Sequence, residues 1–166
     1  MWNKFRVAVI TLSDKGSIGE RIDTSGPKIR ELSEKHGYEV VEMILLPDDQ
    51  ARLEEEMIRL ADQEICDLIL TTGGTGFSAR DCTPEATWNV IDRQAPGIAE
   101  AIRAFSMTIT KRAMLSRAMS GIRNKTLIVN LPGSEKAVEE SLGYILDTLD
   151  HGLAILRGTD GECGRN

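Results

Sequence analysis

Cysteine, histidine and long apolar runs are all scarce in this 166-residue chain, and each scarcity narrows the possibilities. The three cysteines, Cys66, Cys82 and Cys163, form no CxxC pair. An odd count without a secretion signal fits free thiols in a reducing compartment, not a disulfide scaffold. With two histidines, His36 and His151, the composition argues against a histidine-rich zinc site. No apolar run approaches the roughly 20 residues of a membrane span. Residues 1–5 lead straight into a strand pattern with no signal-peptide core, so the cytoplasm is the expected location. Positive charge is in the minority: 20 Lys and Arg against 26 Asp and Glu leave a formal net charge of −6. That argues against broad nucleic-acid or membrane-surface binding, while a local basic pocket stays allowed. There is no repeat, low-complexity segment or linker, and the length suits one domain with a sizeable core.

What is present is a regular alternation. Apolar, β-branched runs at 5–12, 38–46, 68–72 and 126–131 read as strands. Between them lie helical patterns. One starts around Asp23-Thr24-Ser25-Gly26-Pro27 and closes at His36-Gly37, with His36 placed to interact with the helix dipole. The next opens at Pro47-Asp48-Asp49, where one aspartate serves as N-cap and the other is spare. A third starts at Thr83-Pro84, with Thr83 as N-cap, and carries Trp88 as a packing residue. A fourth spans about 98–110, and a fifth is capped by Ser134, with a separate turn at 152–156. Residues 115–122 read as a short irregular edge strand entering a hairpin. The predicted fold is α/β: a three-layer sandwich with a mostly parallel central sheet, helices on both faces and that irregular hairpin edge. Residues 1–157 are expected to form the domain and 158–166 a frayed tail.

Chemistry concentrates after the third strand, in Thr71-Thr72-Gly73-Gly74-Thr75-Gly76-Phe77-Ser78-Ala79-Arg80-Asp81-Cys82-Thr83-Pro84. Three glycines in four positions let amide N–H groups turn towards an anion, and a helix start follows. Tight connection alone is the competing explanation. Gly74 to Ala79 also matches a loose dinucleotide fingerprint, with Asp92 downstream. The context is wrong: the glycines follow the third strand, and Asp92 falls inside a predicted helix. No Gly-Lys-Ser/Thr follows the glycines, so a Walker A loop is absent. Cys82 lacks a histidine in any predicted site loop, which argues against a thiol nucleophile.

Other polar groups follow strand ends too: Ser13-Asp14-Lys15, Asp48, and Pro132-Gly133-Ser134. In a parallel sheet these ends share one edge and can converge. Carboxylates beside bound phosphates commonly hold Mg²⁺, and phosphoryl or nucleotidyl transfer uses these parts. Capping or turn formation remains open for each aspartate taken singly.

The glycine run, Arg80-Asp81 and Thr83-Pro84-Glu85-Ala86-Thr87 together resemble the MogA and MoaB proteins of molybdenum-cofactor biosynthesis. Ser13-Asp14-Lys15-Gly16, Leu46-Pro47-Asp48, Leu115-Ser116-Arg117 and Asn130-Leu131-Pro132-Gly133-Ser134 agree with it. The resemblance implies a molybdopterin adenylyltransferase, which transfers AMP from ATP to the terminal phosphate of molybdopterin and releases pyrophosphate, with Mg²⁺. It implies Asp48 and Asp81 as catalytic, metal-associated carboxylates. Gly73, Gly74, Thr75, Gly76, Ser13 and Asp14 would bind the nucleotide phosphates. Ser116, Arg117, Pro132, Gly133 and Ser134 would bind molybdopterin. It further implies a MoeA-type molybdenum insertase as partner and a homotrimer, with a hexamer as the other option. Phe77-Ser78-Ala79 departs from the family's loop, which often carries proline or a second basic residue. A non-catalytic molybdopterin carrier of the MoaB type is the alternative; retention of both Asp48 and Asp81 favours catalysis.

Overall fold

The computed structural model describes residues 4–159. Four parallel strands form the sheet's main body: β1 (Arg6–Leu12), β2 (Glu39–Leu46), β3 (Leu68–Thr72) and β6 (Thr126–Leu131). Two short antiparallel strands, β5 (Ser120–Arg123) and β4 (Arg93–Gln94), extend it, giving the order β2-β1-β3-β6-β5-β4. The four parallel strands read as near-continuous apolar runs because the central ones are covered on both faces.

Alternating side chains divide the core in two. Val7 and Val9 of β1 pack with α2 (Ser25–His36), α5 (Pro96–Met107) and α6 (Glu135–Arg157) through Ile29, Ile102, Val138, Leu142 and Leu149. Ala8, Ile10 and Leu12 pack on the other face with α3 (Gln50–Asp62) and α4 (Thr83–Val90) through Leu53, Met57, Ala86 and Val90. This is the three-layer α/β sandwich that the periodicity predicts. The chain steps from β1 outward to β2 and then back across β1 to β3. The β1/β3 boundary is therefore the topological switch point, where open α/β sheets place their ligands.

Several elements differ from the sequence expectation. The Ser13–Ser17 turn is a short helix, α1 (Asp14–Ser17), because the Ser13 hydroxyl accepts the Gly16 N–H and caps it. The α4 N-cap is Cys82, and the Thr83 hydroxyl bonds to the glycine loop instead of its own helix. Asp92 lies beyond α4 and pairs with the β5 carbonyl of Ile122. Helix α5 starts at Pro96, since the Ser120 hydroxyl accepts the Ala99 N–H and satisfies an orphan donor. Residues 115–119 are not strand. A 3-10 helix covers Lys111–Leu115, and the next backbone groups are taken by Arg103 and Asn130. The sheet edge on that side is β4, outside the hairpin. Helix α6 runs unbroken through 152–156. Trp88 is 57% exposed and is not a core residue. His36 does end α2 as expected, and its ring is held by Asp150 of α6. Gly158 caps α6; the expected frayed tail beyond 159 lies outside the described residues.

Candidate active site

Register brings the strand ends together. Thr11 lies beside Thr72, Leu12 beside Leu46, and Thr72 beside Leu131, so the loops leaving β1, β2, β3 and β6 open on one edge. A cleft of about 560 Å³ lies there. Of the predicted site residues, Ser13, Asp14, Asp48, Gly73, Gly74, Asp81, Gly133 and Ser134 line it.

The glycine loop is built by necessity at two positions. Gly73 has φ +92°, and a Cβ there would run into the Leu12 carbonyl oxygen. Gly74 has φ +70°, and a Cβ there would run into the Thr83 hydroxyl. Both combine left-handed backbone with close approach, which glycine alone meets without strain. Thr83 then fixes the loop with a side-chain bond to the Gly73 carbonyl (2.9 Å) and a backbone bond to the Gly74 carbonyl (3.1 Å).

Asp48 follows β2 and is the aspartate left over once Asp49 caps α3 by accepting the Arg52 N–H. Asp48 Oδ2 accepts the Asp14 N–H at 3.1 Å, and Asp14 Oδ1 accepts the Asp48 N–H at 2.9 Å. The Asp48 Oδ1 faces Gly74, 3.3 Å from where a Cβ would stand. Asp81 faces the other end of the glycine run and accepts the Ser78 N–H at 2.9 Å. The two carboxylates thus flank the glycine loop.

Burial pushes the Asp48 carboxyl above the usual range, with Asp14 and Asp81 adding repulsion against the Asp14 N–H and the Arg80 guanidinium. Asp14 is held below its usual range by the hydrogen-bonded Arg80 guanidinium. The Cys82 thiol is raised by burial, with Asp48 and Glu85 adding to it, which opposes use as a nucleophile. The all-oxygen donor set of Asp14, Asp48 and Asp81 suits a hard divalent cation. Among the described residues, no three acidic, histidine or cysteine side chains form a group able to hold a metal ion by themselves. A cation held here would need further oxygen ligands, such as phosphate oxygens and water.

Of the other predicted residues, Thr75, Gly76, Ser116, Arg117 and Pro132 are not part of the cleft lining, and Arg117 braces the glycine loop from outside it. The Arg117 N–H bonds to the Thr75 carbonyl at 2.8 Å. Its guanidinium reaches the Gly76 carbonyl at 2.7 Å, the Asp81 carbonyl at 3.1 Å and the Glu85 carboxylate. Ser116 precedes it in a strap whose carbonyls are braced by Arg103. The Pro132 carbonyl accepts the Thr72 hydroxyl and the Gly133 carbonyl accepts the Ser25 hydroxyl, each at 2.6 Å. Ser134 lines the cleft but spends its hydroxyl capping α6.

Sequence reasoning missed four contributors. Arg21 lines the cleft, and its only local signal is a basic residue in a loop at the same edge. Thr83 was readable only as a cap. Ser25, the first residue of α2, gives no local sign of its bond to Gly133. Buried Asn130 donates to the Thr71 and Thr87 hydroxyls, each at 3.0 Å, and accepts the Met119 N–H. It joins β3, α4 and the strap.

An open, mostly parallel sheet with a constrained glycine loop and flanking carboxylates at its switch point defines an α/β domain shaped for a phosphate-bearing ligand. Residues 8–151 match the family described as a probable molybdopterin binding domain, and the chain belongs to that family. The molybdopterin adenylyltransferase of Escherichia coli K12 is 40% identical over 158 residues, covering 94% of this chain and 80% of that protein. The molybdopterin adenylyltransferase of Helicobacter pylori 26695 is 36% identical over 154 residues, covering 92% and 88%. The crystal structure of the molybdopterin biosynthesis enzyme MoaB from Thermus thermophilus superposes with a TM-score of 0.88 at 46% identity, covering 93% of this chain and 97% of that one.

Proposed function

We propose that the protein is a molybdopterin adenylyltransferase. The observation that carries this reading is the glycine loop held between Asp48 and Asp81 at the cleft, in a chain of this family. A terminal phosphate oxygen of molybdopterin attacks the α-phosphorus of ATP. The bond from that phosphorus to the bridging oxygen breaks, and pyrophosphate leaves with the electron pair. Mg²⁺, when bound, supplies positive charge at the transferred phosphate. Asp48 and Asp81 would hold it.

The protein's own residues do the positioning. Backbone amides of Gly73 to Gly76 receive the nucleotide phosphates, beside the Ser13–Asp14 wall. Molybdopterin lies towards the strap at Ser116 and Arg117 and the turn at Pro132, Gly133 and Ser134. Thr83 and Arg117 keep the loop in its receiving conformation from either side. Prior positioning of the two phosphates removes entropy from the barrier. The same reading takes 1–157 as the functional unit, with a homotrimer, a MoeA-type insertase as recipient and a cytoplasmic setting. No helix of the described residues is long and apolar enough to cross a membrane.

The test is turnover of purified protein with molybdopterin, ATP and Mg²⁺, following adenylyl-molybdopterin and pyrophosphate together. Equal formation of both, abolished by chelation, is the expected result. Tight molybdopterin binding with neither product would move the protein to the carrier class.

A further inference from the structure

Arg80 lies on the β3–α4 connection, directly before Asp81. Its side chain is 63% exposed, yet it makes a two-point ion pair across the site. Arg80 Nε donates to Asp14 Oδ2 at 2.9 Å, and an Nη donates to Asp14 Oδ1 at 2.8 Å. The partner lines the cleft and is itself bonded to the backbone of Asp48. One guanidinium therefore neutralises the acidic side of the site and ties the β1 and β3 loops together.

We infer that the Arg80–Asp14 pair is a latch exchanged when the site loads. It deepens the adenylyltransferase reading and rests on it for the identity of the natural ligand. In the structure Arg80 is paired with Asp14. A polyphosphate chain also offers the guanidinium a two-point oxygen acceptor, with more negative charge. Transfer of Arg80 to phosphate leaves Asp14 unneutralised beside Asp48 and Asp81, which strengthens the site for a divalent cation. Phosphate and metal then load cooperatively, through one side chain with two alternative partners. Arg80 is in this sense a positioning residue.

The exchange is testable without turnover. Inorganic tripolyphosphate binding is measured by calorimetry in chelator, and Mn²⁺ binding by its electron paramagnetic signal without phosphate. The proteins are wild type, Arg80→Ala, Asp14→Asn and the double variant, with Arg80→Lys as a charge-retaining check. Asp14→Asn frees the arginine and should tighten metal-free tripolyphosphate about tenfold. That gain should vanish when Arg80 is also absent. A simple loss of repulsion from Asp14 would persist in the double variant, so the cycle separates the two causes. Arg80→Ala should tighten Mn²⁺ severalfold, and Arg80→Lys should lie between it and wild type, because lysine keeps the charge but not the fork.

Additive effects in the tripolyphosphate cycle, Mn²⁺ affinity unmoved by Arg80→Ala, or no Mn²⁺ binding to any of the proteins would each overturn the latch. Turnover of wild type with molybdopterin and ATP, run alongside, tests the functional reading separately. An inactive protein that still shows the coupled cycle retains the latch and loses the adenylyltransferase assignment.

Discussion

Asp14 and Asp48 hold each other by reciprocal bonds, each backbone N–H donating to the other's carboxylate, at 3.1 and 2.9 Å. They are 34 positions apart and follow neighbouring parallel strands. The pair sets one wall of the cleft and leaves Asp48 Oδ1 directed at Gly74.

Replacing Asp81 by Asn keeps size and loop shape but removes the charge. Pterin binding should be retained, and turnover should fall by roughly 10²–10³. Molybdopterin fluorescence titration beside product formation checks both halves. Unchanged turnover would remove Asp81 from the catalytic role.

Gly73→Ala places a methyl against the Leu12 carbonyl at a positive φ. A loss of about 2 kcal/mol of stability is expected, larger than at an open position such as Gly97, where nothing lies near. Urea unfolding of the two alanine variants compares them directly. Equal midpoints would mean that the loop yields easily.

Arg117→Ala removes the guanidinium bonds to the Gly76 and Asp81 carbonyls and the pairing with Glu85, while the backbone bond to Thr75 stays. The expected effect is a raised KM for ATP with faster amide hydrogen exchange over 74–77. Exchange unchanged there would show that Thr83 suffices to hold the loop.

Asp67 ties three segments, receiving the Arg6 N–H and the Arg6 and Arg157 guanidinium groups. Burial opposes its charge, but those donors outweigh it and hold its pKa below the usual value. A depressed folded pKa contributes stability above the unfolded value near 4. That contribution is lost as pH falls through the folded value. Asp67→Asn should cost about 2 kcal/mol at pH 7 and show a smaller further loss below pH 4. Parallel urea titrations at pH 7, 5 and 3 give the comparison, and identical acid profiles would contradict it.

Much of the fold was legible because its signals are local. The apolar, β-branched run at 68–72 has the β3 limits, and Ser134 caps α6 as read. Pro47-Asp48-Asp49 showed that one aspartate was spare; the extended backbone at Asp49 and its bond to Arg52 decided which. The misread pieces are those whose backbone groups find distant partners. Residues 116–119 bond to the Arg103 side chain, the Thr75 carbonyl and, only at Met119, to Asn130 of β6, so no strand ladder forms along them. Trp88 has the composition of a core residue, but the face of α4 turned to the sheet is supplied by Ala86 and Val90.

The alternation of strands and helices, the glycine loop and the caps are encoded by spacing over a few residues, where propensity and periodicity act. Convergence of the site is not encoded that way. It follows from parallel register, which ends β1, β2, β3 and β6 at one edge, and from packing that brings Arg80 to Asp14 across 66 positions. Arg117 reaches Gly76 across 41. Those partners are selected by three-dimensional proximity once both core layers have closed, so the chain order lists the site's parts while only the folded sheet assigns them to one another.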